Sequence, residues 1–239
     1  MTSLARGLTA VGEADLLDFR ATNTMSTIPP PDLVPASLDV RSLHLWRGER
    51  HLLRGVTFCV GPGELLQVTG PNGVGKTSLL RCVAGLLPVE SGEIRWNGVS
   101  IDQCRDDFHP QLAYLAHVNA LKADLTAFEN IHYGVGVRNA VSSDEVRDTL
   151  GRLQLGGCID LPARAMSAGQ KRRVSIARIL LSKAKLWVLD EPITNLDAAG
   201  IALFERCMAE HLSAHGMIVT AAHQLLLQGQ SNVRKLELN

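Results

Sequence analysis

From Leu38 onward the chain alternates short apolar runs with longer amphipathic stretches, whereas residues 1–37 follow no sustained hydrophobic period. The apolar runs predict strands at Leu38–Trp46, Leu52–Val60, Leu65–Thr69, Glu93–Trp96, Leu112–Ala116, Leu186–Leu189, Met217–Ala222 and Val233–Leu238. The amphipathic stretches predict helices at Lys76–Ala84, Ala168–Ser182 and Ala198–His215, with mostly helical structure from Leu125 to Leu155. Short buried strands that alternate with helices predict an α/β fold with a mostly parallel sheet covered on both faces. The first two strands are expected to form an antiparallel hairpin.

The first 37 residues differ in composition from the rest of the chain. Four prolines at positions 29, 30, 31 and 35 disfavour a regular element there. We therefore expect residues 1–37 to be a disordered extension, and residues 38–239 to form one domain. Met25 lies shortly before the first strand, so residues 1–24 could alternatively arise from an upstream start codon.

Charge and cysteine content exclude some classes of function. Lys plus Arg and Asp plus Glu both number 24, which gives no basic excess and no reason to expect nucleic acid as a partner. Five scattered cysteines without a C-x-x-C pair suit a reducing compartment. No apolar run approaches the roughly 20 residues that a membrane helix needs, so we expect the chain not to span a bilayer.

A glycine-rich segment lies between a predicted strand and a predicted helix. Gly70-Pro71-Asn72-Gly73-Val74-Gly75-Lys76-Thr77 matches G-x-x-x-x-G-K-[ST], and Ser78 follows it. Backbone N–H groups of such a loop bind phosphates, and the positive end of the next helix adds to the attraction. Lys76 is expected to reach the β- and γ-phosphates of ATP, and the Thr77 hydroxyl to bind Mg²⁺.

Two carboxylates follow a buried strand near residue 190. Leu186-Trp-Val-Leu is directly followed by Asp190 and Glu191, and ligands of open α/β sheets bind at the carboxyl ends of strands. We expect Asp190 to hold Mg²⁺ and Glu191 to polarise the water that attacks the γ-phosphate. A polar strand end that merely faces solvent is the structural alternative.

Three histidines near the carboxyl terminus are candidates for chemistry. His223 follows the strand Met217–Ala222, so it is expected on the same edge as Asp190, where a neutral imidazole could bridge the γ-phosphate and the water. His211 and His215 are four residues apart but lack the Glu of H-E-x-x-H and a third ligand. We interpret these two as an exposed helix face.

A further motif makes the family recognisable. Met166-Ser-Ala-Gly-Gln170 precedes the basic helix Lys171–Arg178 and resembles the ABC transporter signature. With the phosphate loop, the Leu186–Glu191 strand, Leu196-Asp197 and His223, it completes five motifs in the family order. The chain from about residue 38 therefore resembles the ABC ATPases, with an antiparallel β subdomain and a helical subdomain at about residues 111–182.

This resemblance implies how two copies would share ATP. In ABC ATPases two subunits pack head to tail, and each ATP lies between one phosphate loop and the partner's signature. If this arrangement applies to the present chain, four more residues are expected to bind ATP: Ser167, Ala168, Gly169 and Gln170. Asp197 would lie at the dimer interface. ATP and Mg²⁺ are the implied cofactors.

The sequence departs from the family pattern at three places. Ala168 replaces the first glycine of the signature, and Val118 stands where most members have the glutamine of the Q-loop. Arg47 aligns with the aromatic residue that stacks on adenine. Its neighbour Trp46 is an alternative for that role, unless it points into the core.

Three segments resemble the cytochrome c maturation (CcmA) family, or haem exporter ATPases: Ser167–Gln170 followed by Lys171-Arg-Arg-Val, Leu125–His132 and Leu186–Pro192. The compact length of the chain agrees with this resemblance. That resemblance implies integral membrane subunits as partners, attachment to the cytoplasmic face of a bacterial inner membrane, and ATP hydrolysis that drives release of a haem-loaded chaperone. The alternatives are an ABC ATPase for another solute, a soluble ABC-type ATPase, or a P-loop phosphotransferase, which would leave Ser167–Gln170 without a role.

Overall fold

The computed structural model describes residues 38–137 and 140–239. The extension expected at residues 1–37 lies outside the described residues. Within them, two sheets and their helices form the α/β fold that the sequence predicts.

The first sheet is antiparallel and has the strand order β2-β1-β4-β5. Its strands are β1 (Leu38–Arg47), β2 (Arg50–Val60), β4 (Ser91–Trp96) and β5 (Val99–Ser100). The predicted hairpin is confirmed, since β1 and β2 pair antiparallel from Leu38 opposite Val60 to Arg47 opposite Arg50. A turn at Asn97-Gly98 connects β4 to β5, and both residues have positive φ, as a type I′ hairpin turn requires.

The second sheet is parallel and has the order β6-β7-β8-β3-β9. Its strands are β3 (Leu65–Thr69), β6 (Leu112–Leu115), β7 (Leu186–Asp190), β8 (Met217–Ala221) and β9 (Val233–Glu237). All five residues of β7 and of β8 are buried, which is typical of central strands covered on both faces.

The described residues contain six α-helices, and all but Arg105–Phe108 lie where the sequence predicts helix, three of them to within two residues at their ends. They are α1 (Lys76–Val83), the short α2 (Arg105–Phe108), α3 (Ala127–Gly136), α4 (Ser143–Arg152), α5 (Ala168–Leu181) and α6 (Ala198–Ser213). Capping boxes begin three of them, because Thr126, Ser142 and Ser167 each exchange hydrogen bonds with the residue three positions later. None of the helices in the described part of the chain is long and apolar enough to cross a membrane.

Two hydrophobic clusters lie on the two faces of the parallel sheet. Alternate residues of β7 enter different clusters, with Leu186 and Val188 facing the antiparallel sheet and α1. Trp187 and Leu189 face the cluster that contains α3 to α6. The sheet is thus fixed between two cores, and the carboxyl ends of β3, β7 and β8 meet at one edge.

One prediction about a helix face is wrong. His211 was interpreted as exposed, but its ring stacks on Trp187 with 3.8 Å between centroids and an interplanar angle of 8°. Burial lowers the pKa of His211 from its ordinary value. The helix α6 ends at Ser213, and His215 follows it with a φ of 60°, so the two histidines do not share a helix face.

Candidate functional site

The loop after β3 has the shape that the glycine-rich motif predicts. Gly70 has a φ of 136°, and a Cβ atom there would lie 2.5 Å from the carbonyl oxygen of Leu238. A side chain at this position is therefore excluded both by backbone conformation and by close approach. A Cβ at Gly75 would lie 3.0 Å from Leu52 and Leu53, so the loop is held between β9 and the β1–β2 hairpin.

Lys76 begins α1 and turns back over the loop. Its Nζ donates to the carbonyl oxygens of Gly70 at 2.8 Å and Pro71 at 3.0 Å. The ammonium group is largely buried and lies over the loop whose amides are candidates for phosphate binding. Pro71, Asn72 and Gly73 are exposed, while Thr77 and Ser78 are half-buried in the first turn of α1.

Thr77 and Asp190 meet across the edge of the sheet. The Thr77 hydroxyl donates to Asp190 Oδ1 at 3.1 Å, although 113 positions separate the two residues. Asp190 is 1% exposed at the end of β7. A hydroxyl and a carboxylate are hard oxygen ligands of the kind that Mg²⁺ binds, so this pair fits the expected metal site.

Glu191 and His223 form a second pair beside the first. Glu191 Oε1 lies 3.5 Å from His223 Nε2, and the Glu191 amide donates to the Ala221 carbonyl at 2.8 Å. The Glu191 side chain is mostly buried, whereas 64% of the His223 side chain is exposed. The carboxylate therefore lies under an imidazole that solvent can reach.

The signature residues form a separate group at the start of α5. The Ser167 hydroxyl accepts from the Gln170 amide at 3.1 Å, and Gln170 Oε1 accepts from the Ser167 amide at 2.8 Å. Ser167 and Ala168 are exposed, and a Cβ at Gly169 would lie 2.9 Å from the carbonyl oxygen of Asn195. The structure thus presents a capped helix start with two exposed residues.

Asp197 is held close to the signature helix. Its carboxylate caps α6 by accepting from the Gly200 amide at 2.9 Å, and it accepts from the Arg173 guanidinium at 2.8 Å. The Gly200 amide, followed by Arg173, lowers the pKa of Asp197 below its ordinary value. The start of α6 is therefore tied to α5.

Trp46 and Arg47, the two candidates for stacking on adenine, lie at the end of β1. Trp46 does not point into the core, because 46% of its surface is exposed and its ring stacks on His51 at 4.0 Å. Arg47 is exposed at the end of β1. Both residues are therefore accessible to an adenine base. Val118, at the position of the Q-loop glutamine, is 75% exposed.

Sequence reasoning missed one residue of this region. Arg172 is 1% exposed, and its guanidinium donates to carbonyl oxygens of the segment Asp190–Pro192. The signal was available, because Arg172 shares a helical face with the buried Ile176 and Ile179. An arginine in phase with the apolar positions of a buried helix indicates a specific internal partner.

Comparisons with known proteins show the family to which the chain belongs. The profile of the ABC transporter family matches residues 53–194. A cytochrome c biogenesis ATP-binding export protein CcmA from Nitrosomonas europaea is 41% identical over 216 residues, which is 90% of this chain and all of that protein. A protein of the same name from Vibrio parahaemolyticus is 41% identical over 84% of this chain and 98% of its own length.

A solved structure with a similar fold is an ABC transporter ATP-binding protein from Pyrococcus furiosus. It superposes with a TM-score of 0.74 and covers 84% of this chain and 96% of its own. Its sequence identity is 23%, so this likeness shows the fold alone.

Proposed function

The chain belongs to the ABC transporter ATP-binding family and, within it, to the cytochrome c biogenesis ATP-binding export proteins, and on that premise we propose that it is the ATP-hydrolysing subunit of a membrane complex for haem export. The observation that carries the proposal is the convergence of three strand ends on one edge. There the loop Gly70–Thr77, the carboxylates of Asp190 and Glu191, and His223 adjoin.

Each side chain at this edge has a role in hydrolysis. Lys76 and the loop amides bind the phosphates of ATP. Glu191 accepts a proton from the attacking water, and His223, 3.5 Å from that carboxylate, holds the water against the γ-phosphate. Ser78, in the first turn of α1, completes the ATP-binding segment that begins at Gly70.

Thr77 and Asp190 would hold Mg²⁺ through their oxygens, which lie 3.1 Å apart. When bound, the ion neutralises charge that develops on the phosphate oxygens during transfer. The burial of Asp190 limits competition from water for its carboxylate.

A second copy of the chain would complete the site. Ser167, Ala168, Gly169 and Gln170 begin a helix of 14 residues, whose N-terminal end attracts anions. In the dimer this end would contact the γ-phosphate of ATP held by the partner, with Asp197 beside it. The isolated subunit is therefore expected to bind ATP but to hydrolyse it slowly. Trp46 or Arg47 would stack on adenine.

The proposed partners are integral membrane subunits of a cytochrome c maturation complex. The chain would attach to them at the cytoplasmic face of the bacterial inner membrane. ATP hydrolysis would drive release of a haem-loaded chaperone. The part of the helical subdomain at roughly Gln111–Leu161 would supply the contact surface, as the family resemblance implies.

Gene deletion tests this function most directly. In the deletion strain, haem staining of denaturing gels should show no covalent haem on c-type cytochromes, and a plasmid with the wild-type gene should restore the signal. A plasmid with Lys76→Ala should not restore it, although immunoblotting should find equal protein. Normal haem attachment in the deletion strain would instead favour an ABC ATPase for another solute.

A further inference from the structure

Arg172 is a buried cation beside the turn Asp190–Pro192, which carries two of the candidate site residues. It lies in the second turn of α5, five positions after Ser167, and only 1% of its surface is exposed. Charged side chains are rarely buried to this degree unless each donor has a partner. The partners of the guanidinium therefore indicate its role.

Three consecutive carbonyl oxygens receive hydrogen bonds from one side of the guanidinium. Nη2 donates to Asp190 at 3.0 Å and to Glu191 at 2.6 Å, and Nε donates to Pro192 at 2.9 Å. These residues form the turn that carries the metal-binding carboxylate and the general base. The guanidinium has five donors spread over a planar fork, whereas the ammonium of lysine has three donors on one nitrogen. Lysine therefore cannot serve these three acceptors together with those on the other side of the group.

The other side of the guanidinium is fixed to the segment after β6. Nη1 donates to the Ala116 carbonyl at 2.8 Å and to Asn119 Oδ1 at 3.2 Å. Burial lowers the pKa of Arg172 to about 10, so the group stays protonated at neutral pH. Its position is therefore determined from two directions.

The backbone that Arg172 holds is strained at Glu191. This residue has a φ of 48°, in the left-handed region that residues other than glycine seldom occupy. Such a conformation persists only when the surroundings stabilise it. Here the Glu191 amide donates to the Ala221 carbonyl, and the Glu191 carbonyl accepts from the Thr194 amide at 3.3 Å and, more closely, from Arg172 at 2.6 Å.

We propose that Arg172 is a positioning residue for ATP hydrolysis, which holds the turn Asp190–Pro192 so that the Glu191 carboxylate faces His223 and the nucleotide. This role rests on the proposed ATPase function. Arg172 itself does not contact the reacting atoms, because all its contacts at this turn are with backbone carbonyls. The expected signature of its loss is slow turnover with unchanged ATP binding.

Arg172→Lys in the full-length chain tests the proposal. The matched control is Arg234→Lys, since Arg234 is a partly buried arginine that bonds to the Cys59 carbonyl and to Glu64, outside the nucleotide site. We expect kcat for phosphate release to fall at least tenfold in Arg172→Lys and to stay within twofold in Arg234→Lys. The Kd for a fluorescent ATP analogue should stay within threefold of wild type in both.

Chemical rescue separates positioning from a general loss of packing. In Arg172→Ala, guanidinium chloride at a low millimolar, non-denaturing concentration should raise kcat at least fivefold above the value of the same variant without it. Tetramethylammonium chloride at the same ionic strength should recover none. A purely structural role would give no such selectivity, because neither cation restores the missing side-chain packing.

Equal recovery with guanidinium and tetramethylammonium would overturn the proposal, and so would any of three further results. The first is kcat within twofold of wild type in Arg172→Lys, and the second is a Kd that rises as much as kcat falls. If the Arg172 variants do not fold, Asn119→Ala tests the proposal, because it removes one hydrogen-bond acceptor of the guanidinium. We expect this variant to lower kcat about threefold. The third overturning result is an unchanged kcat in Asn119→Ala. A wild-type chain that does not bind ATP would refute the proposed function instead.

Discussion

Glu191→Gln isolates the chemistry of one carboxylate with little effect on the fold. The substitution keeps the shape of the side chain but removes its charge and most of its ability to accept a proton. The hydrogen bonds that hold the residue, to Ala221 and from Arg172 and Thr194, involve its backbone. Among the described residues, the side chain within ion-pair distance of its carboxylate is His223, at 3.5 Å, which is longer than a strong hydrogen bond.

The expected effects follow from this separation. A general base contributes about 100-fold to 10,000-fold to a reaction rate, equivalent to about 3–5 kcal/mol of transition-state stabilisation. We therefore expect kcat to fall by that factor. The free energy of unfolding should change by less than about 1 kcal/mol, because only a weak side-chain contact is altered.

The assay combines phosphate release, ATP titration and size-exclusion chromatography with Mg²⁺ and ATP. Glu191→Gln should elute as an ATP-dependent dimer, because bound ATP is no longer consumed. Glu205→Gln is the control, since Glu205 is a half-buried glutamate of α6 whose contact to the Leu227 amide glutamine can also make. Turnover within tenfold of wild type would refute the assignment of Glu191, and an ATP-bound monomer would count against the shared site.

Three other experiments test separate parts of the reasoning. Asp190→Asn should weaken Mg²⁺-dependent ATP binding at least tenfold in titrations, and EDTA should stop turnover of the wild type; undiminished hydrolysis in EDTA would contradict a metal role. Asn130→Ala should lower the free energy of unfolding in urea by about 1–3 kcal/mol, since buried Asn130 bonds to Lys122 and Leu125; no change would show that this loop adds nothing to stability. His211→Phe should reduce the loss of stability below pH 6.5. The folded state holds His211 with a lowered pKa, so its contribution is present above the ordinary value of 6.5 and is lost as the pH falls; identical pH profiles would refute this linkage.

The sequence predicts most of this fold because its signals are local. Strands β3, β7 and β8 are short apolar runs, and the loop Gly70–Thr77 has fixed positions that depend on backbone geometry alone. The pairing of Thr77 with Asp190 could be expected as well, since parallel strands end at a common edge.

The rest could not be predicted because it depends on contacts between distant elements. The stacking of His211 on Trp187 requires knowing that α6 covers β7. The periodicity of α6 gives no sign that the helix ends at Ser213, before His215. Arg172 connects α5 to the turn Asp190–Pro192 and to the segment after β6. No local sequence pattern specifies that these three segments lie together.

The neighbours of β3 determine when the ATP site can form during synthesis. Within the described residues this strand, which leads into the phosphate loop, pairs with β8 and β9. Their residues emerge from the ribosome roughly 150 to 170 positions later. Contacts so distant in sequence form slowly and late. A nascent chain that ends before Met217 would contain the glycine-rich loop but not the strands that pair with β3. Nucleotide binding could therefore stabilise the protein only after nearly the whole chain is made.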